Sequence, residues 1–181
     1  MRFPDLKKQM ALSRATIRKR FSMSKQLFKI REAVSADIPE LAQLHVKTWN
    51  ATYPDEPHKP TYAIREHQWR QAFEETNRNW FCFVIEHQNG ELVGFAKGKR
   101  DKDASGNLNK IYLLKEYHGQ GLGRLLLKTV ANKFRDMGIM KMWVVADASN
   151  PTCDFYAKMG GTRKQNNDPG VAIFVWKHLP A

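Results

Sequence analysis

The chain has 181 residues, of which 42% are apolar and 27% are charged, and its formal net charge is +12. This composition predicts one soluble, globular domain, and no run approaches the roughly 18 apolar residues that a membrane span needs. The two cysteines, Cys82 and Cys153, exclude a disulfide framework and have no metal-ligand spacing, which favours a reducing, cytoplasmic location.

The positive charge is concentrated at the start of the chain. Residues 1–22 carry seven basic side chains against one acid, Asp5, and their apolar residues fall on one helical face. Residues 1–27 are therefore predicted to be a helical or flexible extension that precedes a folded domain, residues 28–181. The extension could stay solvated, contact a membrane surface, an acidic partner or nucleic acid, or act as a targeting peptide. Nucleic-acid binding is expected only through this extension.

The first half of the domain predicts a strand, two helices and a hairpin. Pro39 fits the first turn of a helix, and three prolines in residues 50–61 indicate a loop after it. Asn89-Gly90 between two apolar runs is a strong hairpin signal. The elements in chain order are a strand at 29–33, a helix capped by Ser35 or Asp37, a helix at 62–75, and strands at 80–86 and 91–99.

The second half predicts a long helix between strands. The elements are a strand at 108–114, a helix from Leu122 that Gly138 ends, a strand at 140–146, a short helix at 151–159 and a strand at 171–176. A further strand near 161–165 is left open. The whole pattern predicts a mixed α/β sheet of about six or seven strands with flanking helices.

The segment YHGQGLGRLLL, residues 117–127, joins the strand at 108–114 to the long helix. Its three alternating glycines let backbone N–H groups converge without interference from Cβ atoms. The first-turn amides of a helix have no partner within the helix, and the helix dipole adds positive character. Together these groups form a cradle for an anion such as phosphate, to which Arg124 and Lys128 could add charge. The alternative is a tight turn in which Gly123 only allows close packing.

Two common phosphate-binding patterns do not fit this segment. A P-loop ends in Gly-Lys-Ser/Thr, whereas the sequence here is Gly-Arg-Leu. A dinucleotide fingerprint that starts at Gly119 requires a third glycine at the position of Arg124. Asp147 could imitate the acid that binds ribose, so a dinucleotide-dependent oxidoreductase stays as an alternative.

Residues 111–124, IYLLKEYHGQGLGR, resemble the acetyl-CoA motif of the Gcn5-related N-acetyltransferase (GNAT) family, Arg/Gln-x-x-Gly-x-Gly/Ala. His118 stands where the family has Arg or Gln, and histidine can still donate from a ring nitrogen. Residues 150–161, NPTCDFYAKMGG, are similar to the family's Asn-Pro-x-x-x-Phe-Tyr-x-x-x-Gly-Gly segment. Weaker similarity at 30–37 and 45–53 extends the resemblance to residues 28–178.

The resemblance implies a fold in which two parallel strands, 108–114 and 140–146, splay apart to admit acetyl-CoA as co-substrate. A primary amine on a small molecule or peptide would attack the thioester directly in a ternary complex, without a metal. A backbone N–H near Leu113 would stabilise the thioester oxygen, and Tyr156 would protonate the leaving thiolate as general acid. The residues implied to bind acetyl-CoA are Ile111, Tyr112, Leu113, His118, Gly119, Gln120, Gly121, Leu122, Gly123, Arg124, Asn150 and Tyr156.

Some of these residues also have plainer roles. Tyr156 could be a core aromatic beside Phe155, and Asn150 could cap the helix that starts at Pro151, which is compatible with a cofactor contact. Trp49 and Trp69 are expected in the core or in a cleft wall. His45, His58 and His67 are expected to be packing or surface residues.

The general base and the acceptor are not identified by the sequence. Many family members have a glutamate on the central strand, where this chain has Asn107 and Asn109. Its place could be taken by Glu86, Glu91 or a chain of waters, or the substrate could enter partly neutral. Asp55 and Glu56 could attract a cationic amine such as a polyamine or a lysine side chain, although two solvated loop acids are the plainer interpretation. Protein N-termini, antibiotics and amino acids stay open as acceptors. The alternative function is a non-catalytic acyl-CoA sensor or an RNA-associated module, and the protein is expected to be a monomer or a homodimer.

Overall fold

The computed structural model describes residues 27–76 and 78–180, so nearly all of the predicted basic extension lies outside the described residues. The helices and strands are β1 (Phe28–Glu32), α1 (Ile38–Thr52), α2 (Tyr62–Glu74), β2 (Trp80–His87), β3 (Leu92–Arg100), β4 (Gly106–Leu113), α3 (Leu122–Asp136), β5 (Met142–Asp147), α4 (Thr152–Lys158), β6 (Thr162–Lys164) and β7 (Val171–Trp176). The strands form one seven-stranded sheet in the order β1-β2-β3-β4-β5-β7-β6. Neighbouring strands are antiparallel except β4 and β5, which are parallel. The predicted mixed sheet with flanking helices is confirmed.

The predicted element order is also confirmed, including the strand near 161–165, but several boundaries move. Helix α1 continues to Thr52, into the segment expected to be a loop, because the first proline is Pro54 and restricts only the residue before it. Strand β5 begins at Met142 instead of Met140. The reason is that Ile139 is buried and its N–H donates to Phe134 at the end of α3, which delays the strand.

Helices cover both faces of the sheet near its centre. On one face, His45 of α1 and Trp69 of α2 contact the Phe95 ring of β3, with centroid separations of 5.2 and 5.7 Å. On the opposite face, Phe134 of α3 contacts Phe81 of β2 at 5.0 Å. The central strands are therefore buried on both sides. Within the ranges 27–76 and 78–180, no helix is long and apolar enough to cross a membrane.

An ion-pair network fixes β1 against the start of α1. Arg31 donates to Asp37 at 2.7 and 2.8 Å and to Glu86 at 2.6 Å. The Asp37 carboxylate also accepts the Val34 N–H at 2.8 Å, and the donation from Arg31 lowers the pKa of Asp37. Asp37 stands at the N-cap position of α1, with Pro39 in the first turn, as predicted. Its side chain makes no capping hydrogen bond to α1, and a 3₁₀ turn at Ser35–Asp37 leads into the helix.

The parallel strands β4 and β5 separate almost as soon as they meet. They pair only at Gly106–Met142 and Asn107–Trp143. Beyond that point β4 follows β3 as far as Leu113 and β5 follows β7 as far as Asp147, and a β-bulge at Asn109 bends β4 further. The predicted splay is confirmed. It leaves one edge of β4 without a partner strand in the described part of the chain.

We expect Gly106→Ala to lower the free energy of unfolding by about 1–3 kcal/mol, the usual effect of forcing a methyl group into a packed core. A Cβ at this position would lie 2.8 Å from two carbon atoms of the buried Phe134 ring. Urea denaturation would measure the change. The double variant Gly106→Ala/Phe134→Leu should recover part of the loss, whereas an unchanged midpoint for Gly106→Ala would contradict this packing.

Candidate functional site

A cavity of about 420 Å³ lies in the cleft that the splayed strands open. It gathers eight of the residues predicted to bind acetyl-CoA, which are Ile111, Tyr112, Leu113, His118, Gly119, Gly121, Gly123 and Arg124. Five residues that the sequence reasoning did not assign complete its wall: Pro151, Thr152, Phe155, Lys158 and Met159. The cavity is thus bounded by the end of β4, the glycine segment and one face of α4.

The glycine segment adopts the conformation that its composition favours. Gly119 and Gly121 have φ angles of +74° and +85°, in the left-handed region that other residues rarely adopt. Gly121 is the N-cap of α3, and no side chain caps this helix. The amides of the first turn are therefore left for a ligand, which supports the anion cradle rather than a simple tight turn.

The side chains around the cradle are cationic. Arg124 follows two residues after the helix start and is exposed, and Lys158 of α4 faces the same cavity. Gly123 lies between the two helices, and a Cβ there would meet the Phe155 ring at 3.6 Å, an ordinary van der Waals contact. Close packing therefore does not require glycine at position 123.

His118 is held by the chain itself. Its Nε2 lies 2.9 Å from the carbonyl oxygen of Leu113, and a carbonyl can only accept, so Nε2 carries the hydrogen. In the neutral ring Nδ1 is then an acceptor, and only the imidazolium form can donate to a phosphate as well. His118 thus joins the end of β4 to the glycine segment in addition to lining the cavity.

Of the predicted binding residues, Leu122 has a buried side chain and Gln120 has a hydrogen-bond partner within the protein. The Leu122 side chain is buried in the core, so only its backbone is near the cradle. Gln120 is exposed, and its Nε2 donates to the carbonyl oxygen of Glu116 at 3.2 Å. Neither side chain lines the cavity.

Asn150 makes both of its hydrogen bonds within the protein. Its Oδ1 accepts the Thr152 N–H at 2.9 Å, as expected for a residue that caps α4. Its Nδ2 donates to the Tyr53 hydroxyl at 3.2 Å. Asn150 therefore fixes the start of α4 to the end of α1.

The glycine pair after α4 sets the position of that helix. Gly160 has a φ angle of +84°, and a Cβ on Gly161 would lie 2.9 Å from both Trp176 and the Tyr156 carbonyl oxygen. The Trp176 indole N–H donates to the Met159 carbonyl at 2.9 Å. These contacts seat α4 directly on β7.

Tyr156 is buried, with 5% of its surface exposed. Its ring contacts Phe155, Phe174 and Trp176, with centroid separations of 5.6–6.0 Å. Burial raises the pKa of the hydroxyl, and the neighbouring phenols of Tyr112 and Tyr53 raise it further. The phenol is therefore protonated at neutral pH and able to donate a proton.

Three tyrosines thus lie close together beside the cavity, and neither Tyr53 nor Tyr156 is among its described lining residues. Tyr112 lines it, and burial raises the pKa of its hydroxyl to about 12, with Tyr53 adding to the effect. The ring of Tyr112 packs on His45 at 5.4 Å, so this residue connects the cavity to the face of the sheet that α1 and α2 cover. Tyr53 was not assigned by the sequence reasoning, because its partners Asn150 and Tyr156 lie about a hundred residues away in the chain.

Among the described residues that line the cavity, none is an aspartate or a glutamate. Glu86 lies two strands away from β4 and is paired with Arg31, and Glu91 is exposed in the turn before β3. The described ranges contain no group of three or more His, Cys, Asp or Glu side chains placed to hold a metal ion. Of the bases considered from the sequence, only water is compatible with this cavity.

The residues missed on α4 share one helical face. Thr152, Phe155, Lys158 and Met159 are spaced by three or four residues, the spacing of neighbours on a helix surface. That periodicity is visible in the sequence. It does not show which face of α4 meets the cavity, because the packing of Tyr156 on β7 decides this.

Comparisons with known proteins agree on one family. The family model described as "Acetyltransferase (GNAT) family" matches residues 38–161. The uncharacterized N-acetyltransferase YuaI of Bacillus subtilis (strain 168) is 31% identical over 136 residues, which cover 70% of this chain and 76% of that protein. The uncharacterized N-acetyltransferase Rv2669 of Mycobacterium tuberculosis (strain ATCC 25618 / H37Rv) is 36% identical over 87 residues, 45% of this chain and 56% of that protein.

A solved structure shows the same fold. PaiA N-acetyltransferase from Thermoplasma acidophilum, in complex with coenzyme A, superposes with a TM-score of 0.67 at 20% identity. The superposition covers 83% of this chain and 99% of that one. At this identity the similarity shows the fold alone.

We expect Gly121→Ala and Gly123→Ala to change stability in opposite directions. At Gly121 the left-handed backbone should cost about 1–2 kcal/mol for any residue with a Cβ. At Gly123, inside α3 and with ordinary contact to Phe155, alanine should stabilise by about 0.5–1 kcal/mol. Urea denaturation of both variants measures the difference, and the reverse order would contradict the geometry of the helix start.

Proposed function

Because this chain belongs to the acetyltransferase (GNAT) family, we propose that it transfers an acetyl group from acetyl-CoA to a primary amine. The observation that carries the proposal is the cavity at the splay, where the unpaired edge of β4 meets the uncapped start of α3. In a ternary complex, the amine would attack the thioester directly.

The cavity fits both the phosphate groups and the uncharged arm of a CoA thioester. The free amides after Gly121, with Arg124 and Lys158, offer positive charge for phosphate groups. Ile111, Phe155 and Met159 offer apolar surface for an uncharged arm. Coenzyme A in the structure of PaiA N-acetyltransferase supports a CoA-based donor. When bound, acetyl-CoA would supply the activated acetyl group.

The chain's own groups would then position the thioester and protonate the leaving thiolate. The free edge of β4 can bond an extended ligand as an added strand would, and a backbone N–H near Leu113 would stabilise charge on the thioester oxygen. Tyr156, which stays protonated because of its burial, would give its proton to the leaving thiolate. Since no carboxylate lines the cavity, water would accept the proton of the amine.

The lack of a carboxylate also favours a second candidate, a sensor that binds an acyl-CoA without transferring the acyl group. Such a protein would need the cradle and the free edge of β4 but no general base. It would bind acetyl-CoA and release no CoA in the presence of any amine.

Acetyl-CoA should raise the unfolding temperature of the purified protein, and a nicotinamide dinucleotide should not. At about 100 times the dissociation constant the ligand would stabilise by about 2.7 kcal/mol, a readily measured shift. Gly121→Ala should reduce the shift, and Gly123→Ala should keep it because the family motif accepts alanine at this position. A shift with the dinucleotide alone would overturn the proposed function.

Tyr156→Phe should lower kcat by about 10²–10⁴-fold, the usual contribution of a positioned acid, and should keep the acetyl-CoA shift. Thiol release with an amine panel measures kcat. Tyr117→Phe is the matched control, because the Tyr117 ring packs on Phe28 and His87, whereas Tyr156 lies beside Tyr112 of the cavity wall.

The pH profile gives an independent check on this acid. The pKa of Tyr156 is raised above its ordinary value of 10.0, so its hydroxyl stays protonated below pH 10. Ionisation of Tyr156 should therefore not lower wild-type activity in that pH range. Full activity of Tyr156→Phe would show that the residue is only a core aromatic.

A further inference from the structure

Three cations lie together on the face of the sheet that α1 and α2 cover. Lys97 of β3 and Lys110 of β4 are directly opposite each other in the antiparallel pair, so their side chains share one face. Arg65 of α2 lies close enough to Lys110 to lower its pKa. All three side chains are partly buried, and like charges directly opposite each other destabilise a sheet.

Neighbouring acids do not offset this charge. In the described part of the chain, no ion pair within 4.0 Å involves Arg65, Lys97 or Lys110. Burial lowers the pKa of Lys97, which lies over the Trp80 ring at 4.3 Å. Glu75 opposes that shift only in part, and its carboxylate accepts the Trp80 indole N–H. Burial, with Lys97 and Arg65 acting in the same direction, lowers the pKa of Lys110 to about 8.

Polar atoms without a partner mark the same region. Among the described residues, four buried side-chain nitrogen or oxygen atoms have no hydrogen bond, and all belong to α1 or α2: His45 Nδ1, Asn50 Oδ1, Arg65 Nε and Trp69 Nε1. Arg65 Nε and Trp69 Nε1 can only donate. Trp69 is 3% exposed, and its ring lies 5.3 Å from the Lys97 ammonium. A buried donor without a partner is costly unless a ligand supplies an acceptor.

The cluster lies where an acceptor would meet the cleft. Lys110 follows the bulge at Asn109, just beyond the last residue at which β4 pairs with β5. Tyr112, two residues later on the same face and about 7 Å along the strand, lines the cavity. Arg65 is near enough to affect the pKa of the Tyr112 hydroxyl. Lys97 and Lys110 therefore lie on the face of the sheet opposite α3, next to Tyr112 of the cavity wall, and none of the three cations is among the described residues that line the cavity.

We infer that the acceptor amine carries a second, anionic group, a carboxylate or a phosphate, which binds to Arg65 and Lys110 beside Trp69. This inference rests on the proposed function and names the substrate class of that site. An anion would satisfy the free donors and offset the like charges. A polyamine would add further positive charge to three cations. Asp55 and Glu56, the acids considered for attracting a polyamine, are exposed in the loop between α1 and α2.

The test compares amines that differ only in the anion. The carboxylate series consists of ω-amino acids from glycine to 6-aminohexanoate, each with its carboxamide. The phosphate pair is 2-aminoethyl phosphate with 2-aminoethanol, and putrescine represents the polyamines. CoA release gives kcat/KM, and the unfolding temperature of the protein with CoA reports binding without turnover. At least one anionic member should be preferred by about tenfold or more, the contribution of one hydrogen bond to a charged group.

Variants separate recognition from folding. Arg65→Gln and Lys110→Gln should each lower the preference about tenfold, and Lys110→Arg should keep it. Lys110→Gln should not lower the unfolding temperature, because it removes an uncompensated charge. Arg70→Gln is the matched control on α2, since Arg70 is exposed and paired with Glu66.

The outcomes distinguish this inference from the proposed function. If acetyl-CoA shifts the unfolding temperature but anionic members neither react nor bind better than their neutral partners, the anionic acceptor is overturned and the proposed function stands. A preference that survives in both Gln variants would also overturn it. If acetyl-CoA does not bind, the proposed function fails, and this inference fails with it.

Discussion

The separation of β4 from β5 is the constraint on which the site depends. Each strand is fully paired on its other side, with β3 or with β7, so the sheet continues while the contact between the two is lost after two residue pairs. A backbone edge without a partner is unfavourable unless water or a ligand satisfies it. The separation of the two strands therefore creates both the unpaired backbone edge of β4 and the space beside it.

The parallel direction of the two strands brings the remaining parts together. Their carboxyl ends point the same way, so the segment after β4 and the segment after β5 arrive at the same end of the cleft. The first ends in Gly121 and the start of α3, and the second in Asn150 and the start of α4. Packing then orients both helices: Phe134 seats α3 against Gly106, and Gly161 with Trp176 seats α4 on β7.

Local sequence signals predicted much of this arrangement. Glycines at 119 and 121, an asparagine before a proline and apolar periodicity each act within a few residues, so the element order and the anion cradle follow from the sequence. The wall formed by Phe155 and Lys158, and the contact of Asn150 with Tyr53, depend on how distant segments pack. No local pattern contains that information. Asp37 stands at the predicted N-cap position, but its carboxylate makes no capping bond to the helix because the distant Arg31 of β1 engages it.

The cation cluster also bears on the missing base. An amine must lose its proton before it attacks, and a like charge nearby disfavours the protonated form of any amine. Burial, with smaller contributions from Lys97 and Arg65, lowers the pKa of Lys110 from 10.5 to about 8. If the acceptor binds beside these residues as inferred, the same surroundings would disfavour its ammonium form, while the cations would attract its anionic group. Positive charge at one end of the substrate would thus favour the neutral, reactive form of the other end, and water would then be a sufficient base where the described lining of the cavity has no carboxylate.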